Sequence, residues 1–162
     1  MSLVNLKIEW EGAAESLREK GELLQEALLA TVGELGDKLW ELVIGNLSGA
    51  ILQARSGKLV SAVELEAAAF VGSVCGVAVE IPEDSPEWII GMAHEYGGTG
   101  YYLILPVNAQ VLAWMGPEGT VFAHRVNHPP ALERAPFRSA LALMEVDAGD
   151  QIKTTIAEVL AA

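Results

Sequence analysis

From about Ala13 to Asn46 the apolar residues fall at helical spacing. Leu17, Leu24, Leu28, Val32, Leu35, Leu39 and Leu42 recur at intervals of three, four and seven, with Glu and Lys between them. This pattern predicts one long amphipathic helix. A helix with a single apolar stripe needs a partner to cover it, so Leu24, Leu28, Val32, Leu35 and Leu39 are expected to be largely buried. Gly21 is a candidate break. Gly33 and Gly36 weaken the helix and point either to close packing of another backbone or to a bend. The helix should fade around Gly45 to Gly49.

The rest of the chain reads mainly as strands. LVNLKIEW (residues 3–10) alternates apolar and polar positions, as a short strand does. Residues 59–70 and 73–81 read as two strands, and the short FVGSV connection predicts an antiparallel hairpin. PEDSPEW (82–88) is a loop. WIIGMAHEYGG predicts a short helix ending at Gly97 or Gly98. YYLILPV, QVLAWM and TVFAHRVNH are strand-like, and GPEG (116–119) is a turn. HPPALERAPF (128–137) is irregular. A last helix is expected from about Phe137 to Leu160, with an interruption at Asp147–Asp150. Together these predict an α+β fold in one domain over residues 1–162. The long N-terminal helix and the C-terminal helix would pack on an antiparallel β-sheet.

Charge and cysteine content narrow the function. The 162-residue chain carries a net charge of −12, and no Lys or Arg lies between Lys58 and Arg125. Glu64, Glu66, Glu80, Glu83, Asp84, Glu87, Glu95 and Glu118 fall in that interval. A surface built from it repels nucleic acid. The single cysteine, Cys75, excludes an internal disulfide and a multi-cysteine zinc site. No apolar run reaches the length of a membrane span, and the first ten residues lack the pattern of a signal peptide, which points to a cytosolic protein or one assembled in a cytosol.

No catalytic pattern emerges. His94, Glu95 and His124 are candidate metal ligands for a small hydrolase, but their spacing matches no metalloprotease helix. GGTG (97–100) lacks the preceding strand, following helix and Lys of a phosphate loop, and ARSGK has its residues in the wrong order for one. Ser56 and Ser61 lack the flanking glycines of a nucleophile elbow. No catalytic, metal-binding or cofactor-binding residue is therefore assigned.

Three blocks carry a resemblance. NLSGAILQARSGKLVSAV (46–63) resembles a signature of bacteriophage neck and tail-completion proteins, in which a long helix ends in a small Leu-x-Gly segment and a basic-Ser-Gly-basic-Leu turn follows. Here that turn is Arg55, Ser56, Gly57, Lys58 and Leu59. MAHEYGG (92–98), with Glu95 and Gly97, resembles the family's short Ala-polar-Glu-aromatic-Gly segment. VNHPPALERAPFRSAL (126–141) resembles its proline-rich passage, with Pro136 and Phe137 opening the final helix. Ala135 separates Arg134 from Pro136, where the family places the Arg directly before the Pro-Phe pair.

The resemblance implies a virion structural protein without catalytic residues or cofactors. It would sit in a ring at the head–tail junction or the head-proximal end of the tail, hexameric on the virion and compatible with a monomer in solution. Its partners would be other phage neck or tail proteins, with no specific nucleic-acid binding and no membrane. It would pass through the host cytoplasm before assembly. A tail-terminator ring is the neighbouring alternative. Ser56-Gly57 would then be a structural turn leading into the first strand, with Arg55 and Lys58 free to meet a neighbouring subunit.

Overall fold

The computed structural model describes residues 11–53 and 56–162; the predicted strand at 3–10 and Arg55 lie outside them. The fold is α+β. Helix α1 (Glu11–Gly45) is unbroken at Gly21 and spans about 52 Å at 1.5 Å per residue. It runs into a π turn (Asn46–Ala50), where the Asn46 carbonyl accepts from the amides of both Ile51 and Leu52. Helix α4 (Pro136–Ala161) lies antiparallel along α1. Lys20 Nζ donates to the Leu160 carbonyl (3.2 Å), the Thr31 and Thr155 hydroxyls are 2.8 Å apart, and Lys38 Nζ donates to Gln151 Oε1 (3.3 Å). This side-by-side packing carries α4 without interruption through Asp147–Asp150, despite the cost of Gly149 in a helix.

Val32 and Leu35 are buried, while Leu24, Leu28 and Leu39 are half-buried. The core lies at the C-terminal end of α1. Val43, Leu47, Leu52, Val63, Ile81 and Ala140 form it, with Trp88 and Phe137 packed against it. Gly33 and Gly36 serve close approach. A Cβ at Gly36 would collide with the side chain of Val77, and one at Gly33 would touch Ala68.

The expected single sheet is four separate two-stranded antiparallel ribbons. Strand β1 (Glu64–Leu65) pairs with β4 (Val79–Glu80), which sets Glu64 directly opposite Glu80. Strand β2 (Ala69–Val71) pairs with β3 (Val74–Gly76) in the predicted hairpin, with Gly72 at φ 64° in its turn. Strand β5 (Tyr102–Ile104) pairs with β8 (Val126–His128), and β6 (Leu112–Gly116) with β7 (Gly119–Ala123). Residues 120–128 are therefore split between two ribbons. Residues 58–61 correct the reading of 59–70 as a strand. Helix α2 (Lys58–Ser61) is a single helical turn, and the chain turns extended only at Glu64. Helix α3 (Trp88–Tyr96) ends as expected, with Gly97 at φ 78° as its cap.

Candidate functional site

The start of α4 is a helix N-terminus without a local cap. Pro136 suits the first helical position. Ala135, at φ 47°, has no side-chain oxygen to accept the orphan amides that follow. Glu95 of α3 supplies the missing acceptor from forty residues upstream. Its Oε2 accepts from the Phe137 amide (2.9 Å), and its Oε1 accepts from the Arg138 amide (3.0 Å) and Arg138 Nε (2.9 Å). The residue is only 6% exposed. A buried carboxylate is tolerable here because every partner is a positive group or a donor at the positive end of a helix.

The arrangement is reciprocal, since the end of α3 also leaves carbonyls without intrahelical partners. The His94 carbonyl accepts from the amides of Arg134 (2.8 Å) and Ala135 (3.1 Å). Arg138 Nη2 donates to the Glu95 carbonyl and to Glu133 Oε1 (2.7 Å). The same guanidinium lies 4.8 Å from the centre of the Tyr96 ring, within cation–π range. These contacts hold Arg138 even more firmly protonated than usual, Glu133 foremost and then Glu95.

Gly97 and Gly98 let the chain segments approach, a Cβ at Gly97 falling 3.3 Å from the Glu133 amide nitrogen. The Gly98 amide donates to the Ala131 carbonyl (2.9 Å), and a Cβ at Gly98 would lie 2.9 Å from the Ala131 amide nitrogen. The π turn closes the third side. Asn46, itself buried, donates from Nδ2 to the Pro136 carbonyl at 2.7 Å. Arg134 Nη1 reaches the Ile51 carbonyl (3.4 Å).

The three blocks at 46–63, 92–98 and 126–141 thus meet around Pro136, which is fully buried. Among the expected site residues, Glu95, Gly97, Pro136 and Phe137 converge there. Leu59 packs against the core nearby. Ser56 and Gly57 are exposed and line a groove with Leu47, Ile90, His94 and Arg134, and Lys58 is exposed next to them in sequence. Gly57, at φ 72°, opens the α2 turn and accepts from the Ser61 amide, so Ser56-Gly57 leads into a helical turn rather than a strand. Asn46 and Arg138 were not singled out from the sequence. The readable signal for their neighbourhood was a Pro-opened helix with Ala at the cap position, which demands an acceptor from elsewhere.

The junction is a clasp between α3 and α4. The Glu95 carboxylate is committed to α4 on both oxygens. The His94 ring has its Nδ1 enclosed and without a partner among the described residues. Burial, and then the Arg134 guanidinium, push its pKa down and favour the neutral ring. His124 is exposed, with Nδ1 beside the Gln110 carbonyl (3.1 Å). Among the described residues no three His, Cys, Asp or Glu side chains gather to hold a metal, so His94, Glu95 and His124 are not brought together as ligands. Cys75 is a half-buried free thiol. No helix among the described residues is long and apolar enough to cross a membrane.

Comparison with models of known protein families, with curated proteins and with solved structures finds no match for this chain.

Proposed function

We propose that this chain is a bacteriophage virion structural protein that completes the tail or joins the tail to the head, as one subunit of a ring around the DNA channel. The observation that carries the reading is the meeting of three family-like blocks at one junction. Residues 46–63, 92–98 and 126–141 are far apart in sequence, yet Asn46, Glu95, Gly98 and Arg138 join them through direct hydrogen bonds.

The acidic interval adds a role in this setting. Glu64, Glu66 and Glu80 are exposed, whereas Glu95 is taken up by the clasp. Carboxylates on the channel side of a ring repel phosphates and let the duplex slide.

Electron microscopy of particles assembled without this chain tests the proposal. Free heads beside finished tails are the expected result for a joining or completing protein. Overlong tails would move the chain to the tail-terminator position. Normal infectious particles would overturn the virion role.

A further inference from the structure

We infer that residues 99–128 form an arm through which this chain binds a second copy of itself, the ribbons of the two copies joining edge to edge into a continuous sheet. The inference deepens the ring reading and takes its biological setting from it.

The arm holds the ribbons β5–β8 and β6–β7, neither of which packs extensively on a helix. Isolated two-stranded ribbons are marginal in water. The central residues of β6 and β7 are exposed on both faces, so β6–β7 has no core side. Large apolar groups project from the arm: Val107 is 92% exposed, Met115 78%, Tyr101 70% and Phe122 65%. Among the described residues β5 pairs only with β8 and β6 only with β7, which leaves backbone donors and acceptors bare along the outer edges. Such edges are templates for another strand.

Charge selects the occupant. Glu118 and Arg125 are the only Asp, Glu, Lys or Arg residues between 99 and 128, and they cancel. The whole net charge of −12 therefore lies outside the arm. Two copies repel each other elsewhere but meet here without that penalty. The lack of surplus positive charge disfavours nucleic acid. A lipid surface would cover the apolar side chains but leave the strand edges unsatisfied. A second copy brings the same bare edges and the same neutral apolar faces. Pairing different edges head to tail gives a repeating contact, which makes a ring where the rotation between copies closes.

The test is analytical ultracentrifugation of the full chain over a rising concentration series. The expected wild-type result is a mass climbing to at least twice 17.2 kDa. Met115 and Phe122 share one face of β6–β7 by register, and both are exposed. The double variant Met115→Lys, Phe122→Lys should keep its circular dichroism and melting temperature and remain a monomer throughout. These lysines lower the net negative charge, so lost association would not come from added overall repulsion. A wild type that stays monomeric at every concentration overturns the inference. So does a folded variant that associates like the wild type. Flotation of a monomeric wild type with phosphatidylcholine vesicles would assign the arm to a lipid surface instead. Self-association that fails while particles still need the chain sinks only the arm; the reverse sinks only the virion role.

Discussion

At the scale of single residues, Glu95 does the most. Replacing it with Ala strands the Phe137 and Arg138 amides and removes one of the two carboxylates that hold the Arg138 guanidinium, leaving Glu133. Glu95→Ala should cost about 2 kcal/mol, since buried donors lose their acceptor, read as a lower midpoint in urea unfolding. Arg138→Lys should not rescue the junction. A lysine keeps the charge, but it has no fork to serve Glu95 and Glu133 together or planar face to lie over Tyr96. Its melting temperature should fall, though less than that of Glu95→Ala, because the two backbone amides keep their carboxylate. An Arg138→Lys protein as stable as the parent would show that the guanidinium geometry contributes nothing. At Gly57, nothing among the described residues lies within 4 Å of the missing Cβ, so the backbone conformation is what resists substitution. Gly57→Val should cost roughly 1–2 kcal/mol from left-handed strain, whereas Ser56→Ala, at an exposed position, should change the melting temperature little. Equal melting temperatures for the two variants would remove the conformational role of Gly57.

At the scale of elements, the local signals were legible and the non-local ones were not. The α1 stripe, the Gly97 cap and the FVGSV hairpin each depend on neighbours in sequence. Residues 59–61 failed because a short apolar run fits a strand and a buried helical turn equally well. The break expected at Asp147–Asp150 failed because packing along α1 outweighs local propensity. The clasp was legible in part: Glu95 and Pro136 stood out, but their bond joins segments some forty residues apart. Pairing shows a liability that sequence alone hides. Glu64 faces Glu80 across β1–β4, and like charges directly opposite are unfavourable. Glu80→Lys should stabilise the protein by roughly 0.5 kcal/mol through an opposite-charge cross-strand pair. The gain should shrink in high salt, as screening weakens exposed pairs. A loss of stability at low salt would mean that the ribbon does not hold this register.

At the scale of the whole molecule, the chain divides its labour. The antiparallel α1–α4 pair and the core at its junction make one packed body. The arm keeps its apolar groups and strand edges outside that body. Composition gave no warning of this division, because the strand-like segments look the same whether they form one covered sheet or four separate ribbons, two against α1 and two in the arm. The separation comes from pairing and exposure. The clasp also makes a clock. First-turn amides of a helix ordinarily exchange their hydrogens with solvent readily, having no acceptor. Those of Phe137 and Arg138 are locked by a carboxylate that belongs to another helix. Their deuterium uptake should therefore be slow in the parent and fast in Glu95→Ala, while the middle of α4 stays protected in both. In the parent these two amides report each time α3 lifts from α4, making the breathing of a long-range joint visible at two backbone positions.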